Sequence, residues 1–197
     1  MKAPLFFSAL GLAGFLSLAD SSQAEEPVWT HELFMEAQPN QELSRWLKAG
    51  DGQSTLEESG LVLDTMDGDA IYWRIEGQEN DGDWDGNRPS TIEFRARARE
   101  IGNGLEAAGQ VVASDGLKYY AFNIGDSEWH TYRIILSGGQ ARIYTDGDLS
   151  SEETINGVAF PEDRRANLIY FGDGGGSVGG ITEWKVFRWT NDGAFEP

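Results

Sequence analysis

Residues 91–99 alternate almost without exception. Ile92, Phe94, Ala96 and Ala98 fall on one side of an extended chain, and Thr91, Glu93, Arg95, Arg97 and Arg99 fall on the other. Helical geometry would scatter both sets around an axis, so the pattern requires a strand with one dry face and one wet, charged face. That strand belongs to a sheet whose apolar side is covered by another layer.

The same signal recurs along the chain. Strands are expected at residues 28–36, 61–64, 70–76, 91–99, 117–123, 131–136, 141–145, 167–171 and 181–189. Between them stand Gly, Asp, Asn and Ser, as in Gly102-Asn103-Gly104, Ser137-Gly138-Gly139 and Asp146-Gly147. The 25 glycines therefore punctuate turns and separate no domains. Residues 42–47 offer at most one short helical turn, and no helix of ordinary length is expected. Many short, alternating strands joined by tight reversals predict an all-β fold, a two-sheet antiparallel sandwich. Trp73, Trp129, Trp184 and Phe94 are expected in its core or seam, with Trp129, Ile134 and Ile143 knitting the facing sheets.

The first residues read differently. Lys2 precedes an apolar run over residues 4–18, and Ser22-Gln23-Ala24 offers a small-x-small cleavage site. Residues 1–24 are expected to be an export signal, leaving residues 25–197 as one domain in a secreted or periplasmic protein. A membrane anchor fits less well, because the run is short of a full span and lacks a basic flank. Cysteine is absent, so core packing, helped at most by an ion, must hold the domain together. The formal net charge of -18 argues against nucleic acid or an anionic membrane surface as a partner.

One hairpin carries a resemblance. Trp129-His130-Thr131-Tyr132-Arg133-Ile134, followed by Ile143-Tyr144-Thr145-Asp146-Gly147, resembles the concanavalin A-like, laminin-G-like jelly-roll superfamily. The last strand, residues 181–189, looks like that family's closing strand, which pairs beside the first. The resemblance implies a jelly-roll sandwich over residues 28–190. It leaves function open among lectins, adhesion modules, glycosidases, lyases and accessory domains.

Three groups of residues are candidates for chemistry. Asp81, Asp83 and Asp85 place oxygens at alternate positions of a loop whose sixth residue is Gly86, as a calcium loop does. The full helix-flanked pattern fails at Arg88 and Ile92, so a simple acidic turn remains the alternative. Asp64, Asp67 and Asp69 form a second acidic turn. Arg95 and Arg97 share a wet face, and Arg74 extends their row if its strand lies in the same sheet. Guanidinium forks there could meet sugar hydroxyls or the acid groups of a polysaccharide, or simply pair with Glu76, Glu183 or Glu106. Trp84, in a polar loop, is a candidate plane for stacking on a pyranose, and Tyr119 is another candidate lining residue.

Hydrolysis of glycosides needs paired carboxylates. The family's catalytic strand carries Glu-x-Asp-x-x-Glu or Glu-x-Asp-x-Glu, whereas Glu93-Phe94-Arg95-Ala96-Arg97 has arginine in the later acidic places. The reading is thus a carbohydrate-binding or adhesion-type module with calcium as its candidate ion. The alternatives are a polysaccharide-active enzyme, either lyase or hydrolase, and a structural accessory domain. His130 reads as a structural strand residue.

Overall fold

A computed structural model describes residues 25–35, 46–67, 69–76, 84–162, 167–173 and 178–197. These residues contain no α-helix. Their strands are β1 (His31–Phe34), β2 (Leu47–Ala49), β3 (Gln53–Glu57), β4 (Gly60–Asp64), β5 (Ile71–Glu76), β6 (Ser90–Ile101) and β7 (Gly109–Ser114). There follow β8 (Lys118–Ile124), β9 (His130–Ser137), β10 (Gln140–Thr145), β11 (Asp148–Ile155), β12 (Val158–Ala159), β13 (Leu168–Asp173) and β14 (Gly180–Thr190).

They form two antiparallel sheets, as the alternation predicts. The eight-stranded sheet runs β11-β10-β9-β6-β14-β4-β3, with β1 also paired to β14. The six-stranded sheet runs β12-β8-β7-β13-β5-β2. On one edge β14 takes β6; on the other it takes β4 along 181–184 and β1 along 186–189. The last strand therefore lies beside the first. A bulge between Trp184 and Val186 leaves Lys185 as the extra residue.

Aromatic rings fill the space between the sheets. Phe94 lies 5.2 Å from Tyr132 and 6.0 Å from Phe187, while Phe171 of the opposite sheet meets Trp184 at 4.9 Å and Phe187 at 5.0 Å. Trp46 closes one side, 5.3 Å from Phe171 and 5.8 Å from Trp189. Trp73, Trp184 and Phe94 are fully buried, as expected.

Trp129 corrects the expectation. It lies outside the buried cluster, with the Lys185 ammonium 4.5 Å and the Arg97 guanidinium 5.0 Å from its ring. It stands just before β9, where its ring can meet cations that keep part of their hydration. Ile134 and Ile143 do sit in the core.

Five strands were not expected: β2, β3, β7, β11 and β12. The expected helical turn at 42–47 lies mostly outside the described residues, and Leu47 opens β2.

Candidate functional site

The outer face of the eight-stranded sheet is occupied by its own charges. Glu93 is buried, and its Oε2 accepts hydrogen bonds from Arg133 Nε at 2.9 Å and Nη2 at 2.7 Å. Arg188 holds the other oxygen, and the Trp29 ring lies 4.4 Å from the Arg188 guanidinium. Farther along, Glu183 is fully buried and accepts from Ser59, Arg97 and Arg99, while Arg99 also forks onto Glu57. Burial pushes the Glu183 carboxyl up, but those donors outweigh it and hold the group below the usual range.

The arginine row is therefore an ion-pair ladder. Of the expected partners Glu183 is used, and Glu57, which was not expected, joins it. Arg97 is committed to Glu183 and to the face of Trp129. Arg95 is exposed, and its charge helps lower the pKa of Asp146. The C-terminal segment crosses the same face. Thr91 Oγ1 donates to the Gly193 carbonyl and accepts from the Phe195 N–H, and Arg133 reaches the Glu196 carbonyl.

Arg74 is not part of that row. It stands on β5 in the six-stranded sheet, so the expected extension fails. Topology puts the two strands in different layers, a fact that their shared alternation does not encode.

The outer face of the six-stranded sheet has a different chemistry. Ile71, Trp73 and Ile75 point into the core, so Tyr72 and Arg74 point outward. Register aligns Arg74 with Tyr170, Tyr170 with Val112, and Val112 with Ala121; the next row carries Tyr72, Gln110 and Asn123. Gln110 Nε2 donates to the Tyr170 hydroxyl at 2.9 Å, and the Tyr72 and Tyr170 rings stand 5.0 Å apart at 43°. Burial pushes the Tyr170 hydroxyl pKa well up, with Tyr72, Asp173 and Tyr119 adding to the effect. Tyr119 lies on the same face, one strand beyond β7, against Phe160 at 4.9 Å. Arg74 and Tyr119 are thus brought to one face. Tyr72, Gln110, Asn123 and Tyr170 join them and were not anticipated; their outward places on alternating strands were the signal available. None of the described side chains of this face is a carboxylate.

Trp84 is a core residue. It is 2% exposed, and its indole N–H donates to the Ser114 carbonyl at 2.9 Å. Its ring therefore offers no plane to a sugar, contrary to expectation. A buried tryptophan is held here because both its apolar surface and its N–H are satisfied.

Asp81 and Asp83 lie outside the described residues. Asp85 Oδ1 accepts from the Asn87 backbone N–H at 3.1 Å and from its side-chain amide at 3.3 Å, closing its own turn. In the second acidic turn Asp64 does likewise with Met66 N–H at 3.0 Å. His130 is clasped between Asp146 at 2.7 Å and Asp126 at 3.3 Å.

No protein-family model matches this chain, and no curated protein does. Among solved structures, the chain is similar to the Crh5 transglycosylase in complex with NAG, at 12% identity and a TM-score of 0.51, covering 84% of this chain and 85% of that one. It is similar also to the apo Crh5 transglycosylase, at 13% identity and a TM-score of 0.50, covering 83% and 85%. The botulinum neurotoxin serotype D binding domain matches at 12% identity and a TM-score of 0.44 over 74% of this chain, which spans 43% of that one. The Crh5 likenesses show the shared β-sandwich fold.

Proposed function

We propose that this chain is an exported carbohydrate-binding module and that the outer face of its six-stranded sheet meets the glycan. The observation that carries the reading is the array of Tyr72, Arg74, Gln110, Tyr119, Asn123 and Tyr170 on the outward side of adjacent strands. Phenol rings offer flat apolar surface to the C–H faces of sugars, while amides and a guanidinium fork answer their hydroxyls. A rigid sheet holds these groups in fixed register, which reduces the entropy lost on binding.

Binding is favoured over hydrolysis because Arg95 and Arg97 stand where the later carboxylates of this fold's glycosidase strand would be. The leading segment supports export. The Asp81, Asp83 and Asp85 loop supports a calcium ion that stabilises the module without touching the glycan. Calorimetry with Ca²⁺ on the chain and on its Asp81→Asn, Asp83→Asn variant tests that part alone.

The binding reading is tested on an array of neutral and acidic oligosaccharides. At least one glycan class is expected to be retained, with retention lost in a Tyr72→Ala, Gln110→Ala variant. Silence across the array would overturn the reading in favour of an accessory domain.

A further inference from the structure

Four aromatic rings cross the outer face of the six-stranded sheet on a diagonal. Tyr72 on β5 and Tyr170 on β13 stand ring to ring at 5.0 Å, and Tyr119 on β8 meets Phe160, just beyond β12, at 4.9 Å. Tyr120, Phe122 and Ile124 point toward the core, so alternation turns Tyr119 outward. Along β7, Tyr72 lies level with Gln110, Tyr170 with Val112 and Tyr119 with Ser114. Each successive tyrosine is thus two residues farther along the sheet. All four rings are half-buried, with surface still open to a ligand.

Strand β7 supplies no aromatic residue, yet the stripe crosses it. Gln110 donates to the Tyr170 hydroxyl at 2.9 Å, which ties that ring toward β7, and Val112, outward on the same row, is only 3% exposed. On the far side Tyr119 lies near enough to help raise the Tyr170 hydroxyl pKa. Phe160 N–H donates to the Leu117 carbonyl at 2.9 Å, which fixes the last ring to the residue before β8. Polar groups border the stripe on both sides. Arg74 shares the Tyr170 row on one side, while Gln110 and Asn123 occupy the Tyr72 row on the other.

The stripe has a definite length. Tyr72 and Tyr119 are separated by the strand steps from β5 to β8 and by the residues from Gln110 to Ser114. At about 4.8 Å between strands and about 3.3 Å per residue, the two positions lie about 20 Å apart. A pyranose ring advances an extended glycan by about one strand spacing, about 5 Å, so the stripe matches about four successive rings. A single sugar would cover one aromatic pair and leave the other wet.

On the glycan-binding reading of this face, on which this step rests, we propose that the stripe takes about four consecutive rings from the interior of an extended, β-linked polysaccharide lying obliquely across β5, β13, β7 and β8. Sugar faces stack on the aromatic rings, and hydroxyls along the two edges of the glycan meet Arg74 on one side and Gln110 and Asn123 on the other. Contacts spread along the stripe need no chain end, so the interior of a polymer serves as well as its terminus.

The test is calorimetric titration of the full chain with cello-, manno-, chito- and mannuronate oligomers of one to six rings. Malto-oligomers, whose α-links coil the chain, are the compact contrast. In at least one extended series, affinity should rise about tenfold or more between two rings and four and then level off. That gain should shrink about fivefold or more in Tyr119→Ala, which removes one end of the stripe. Two rings binding as tightly as four, a gain unchanged in Tyr119→Ala, or a preference for malto-oligomers would overturn the stripe and leave a smaller glycan site on this face. Silence from every oligomer at every length would overturn the stripe and the binding reading together.

Discussion

Arg133 holds Glu93 through two nitrogens, at 2.9 and 2.7 Å, across neighbouring strands of the eight-stranded sheet, and both side chains are nearly closed to solvent. Arg188 grips the remaining oxygen, so one buried carboxylate answers two guanidinium groups. Removing it would leave the buried Arg133 with only the Glu196 carbonyl and the exposed Glu26, while Arg188 would keep Glu32. Glu93→Gln should therefore lower stability by about 3 kcal/mol. Urea denaturation followed by tryptophan fluorescence measures this, and a loss near zero would show that the network contributes little. Glycan binding should survive, since the opposite sheet carries the proposed face.

Trp84 makes a sharper distinction. As a core residue bonded to Ser114, its replacement by Ala should cost about 3–5 kcal/mol through the cavity left behind. Trp84→Phe keeps most of the apolar bulk but removes the indole hydrogen bond to the Ser114 carbonyl, for about 0.5–1.5 kcal/mol. Thermal unfolding compares the two variants. An exposed sugar-stacking tryptophan would instead lower affinity and leave the unfolding temperature nearly unchanged.

His130 gives the fold a pH dependence of calculable sign. The Asp146 hydrogen bond, opposed in part by burial, raises the imidazole pKa, and the Asp126 charge adds to the rise. A raised pKa contributes stability that is full below the ordinary value of 6.5 and is lost as pH rises through the folded value. The Asp146 carboxyl is lowered, chiefly by the Thr131 N–H, so its share is present above the ordinary 3.8 and is lost as pH falls through the folded value. The clasp is thus strongest between those two ordinary values. From pH 6 to pH 8.5 the urea midpoint should fall, and His130→Asn should remove that part of the slope. Partial exposure keeps the effect below about 1 kcal/mol. An identical slope in the variant would place the pH dependence elsewhere.

Much of the sandwich was legible because alternation is local. Strand β6 follows directly from Ile92, Phe94, Ala96 and Ala98, and all four side chains are buried. The edge strands β3 and β11 were not legible. Gln53–Glu57 and Asp148–Ile155 are exposed along most of their length and need no apolar face, so their sequences carry no period. Strand β7 was missed for the opposite reason: Val111, Val112, Ala113 and Ser114 are all buried, and that erases the contrast between faces. The site depended on information the chain does not carry locally. Arg74 and Arg95 have the same strand context but lie in different layers, and Trp84 finds its acceptor 30 residues away.

On the proposed reading, the six-stranded face and not the arginine ladder meets the glycan. Calorimetry with an oligosaccharide retained on the array tests it directly, using the wild-type chain, a Tyr72→Ala, Gln110→Ala variant and an Arg95→Ala, Arg97→Ala variant. The first pair should weaken binding about tenfold or more, as expected when two direct contacts are lost, and the second, on the opposite sheet, should leave the affinity of the folded protein within about twofold. Full affinity in the Tyr72, Gln110 variant, with loss in the Arg95, Arg97 variant, would place the glycan on the eight-stranded sheet instead.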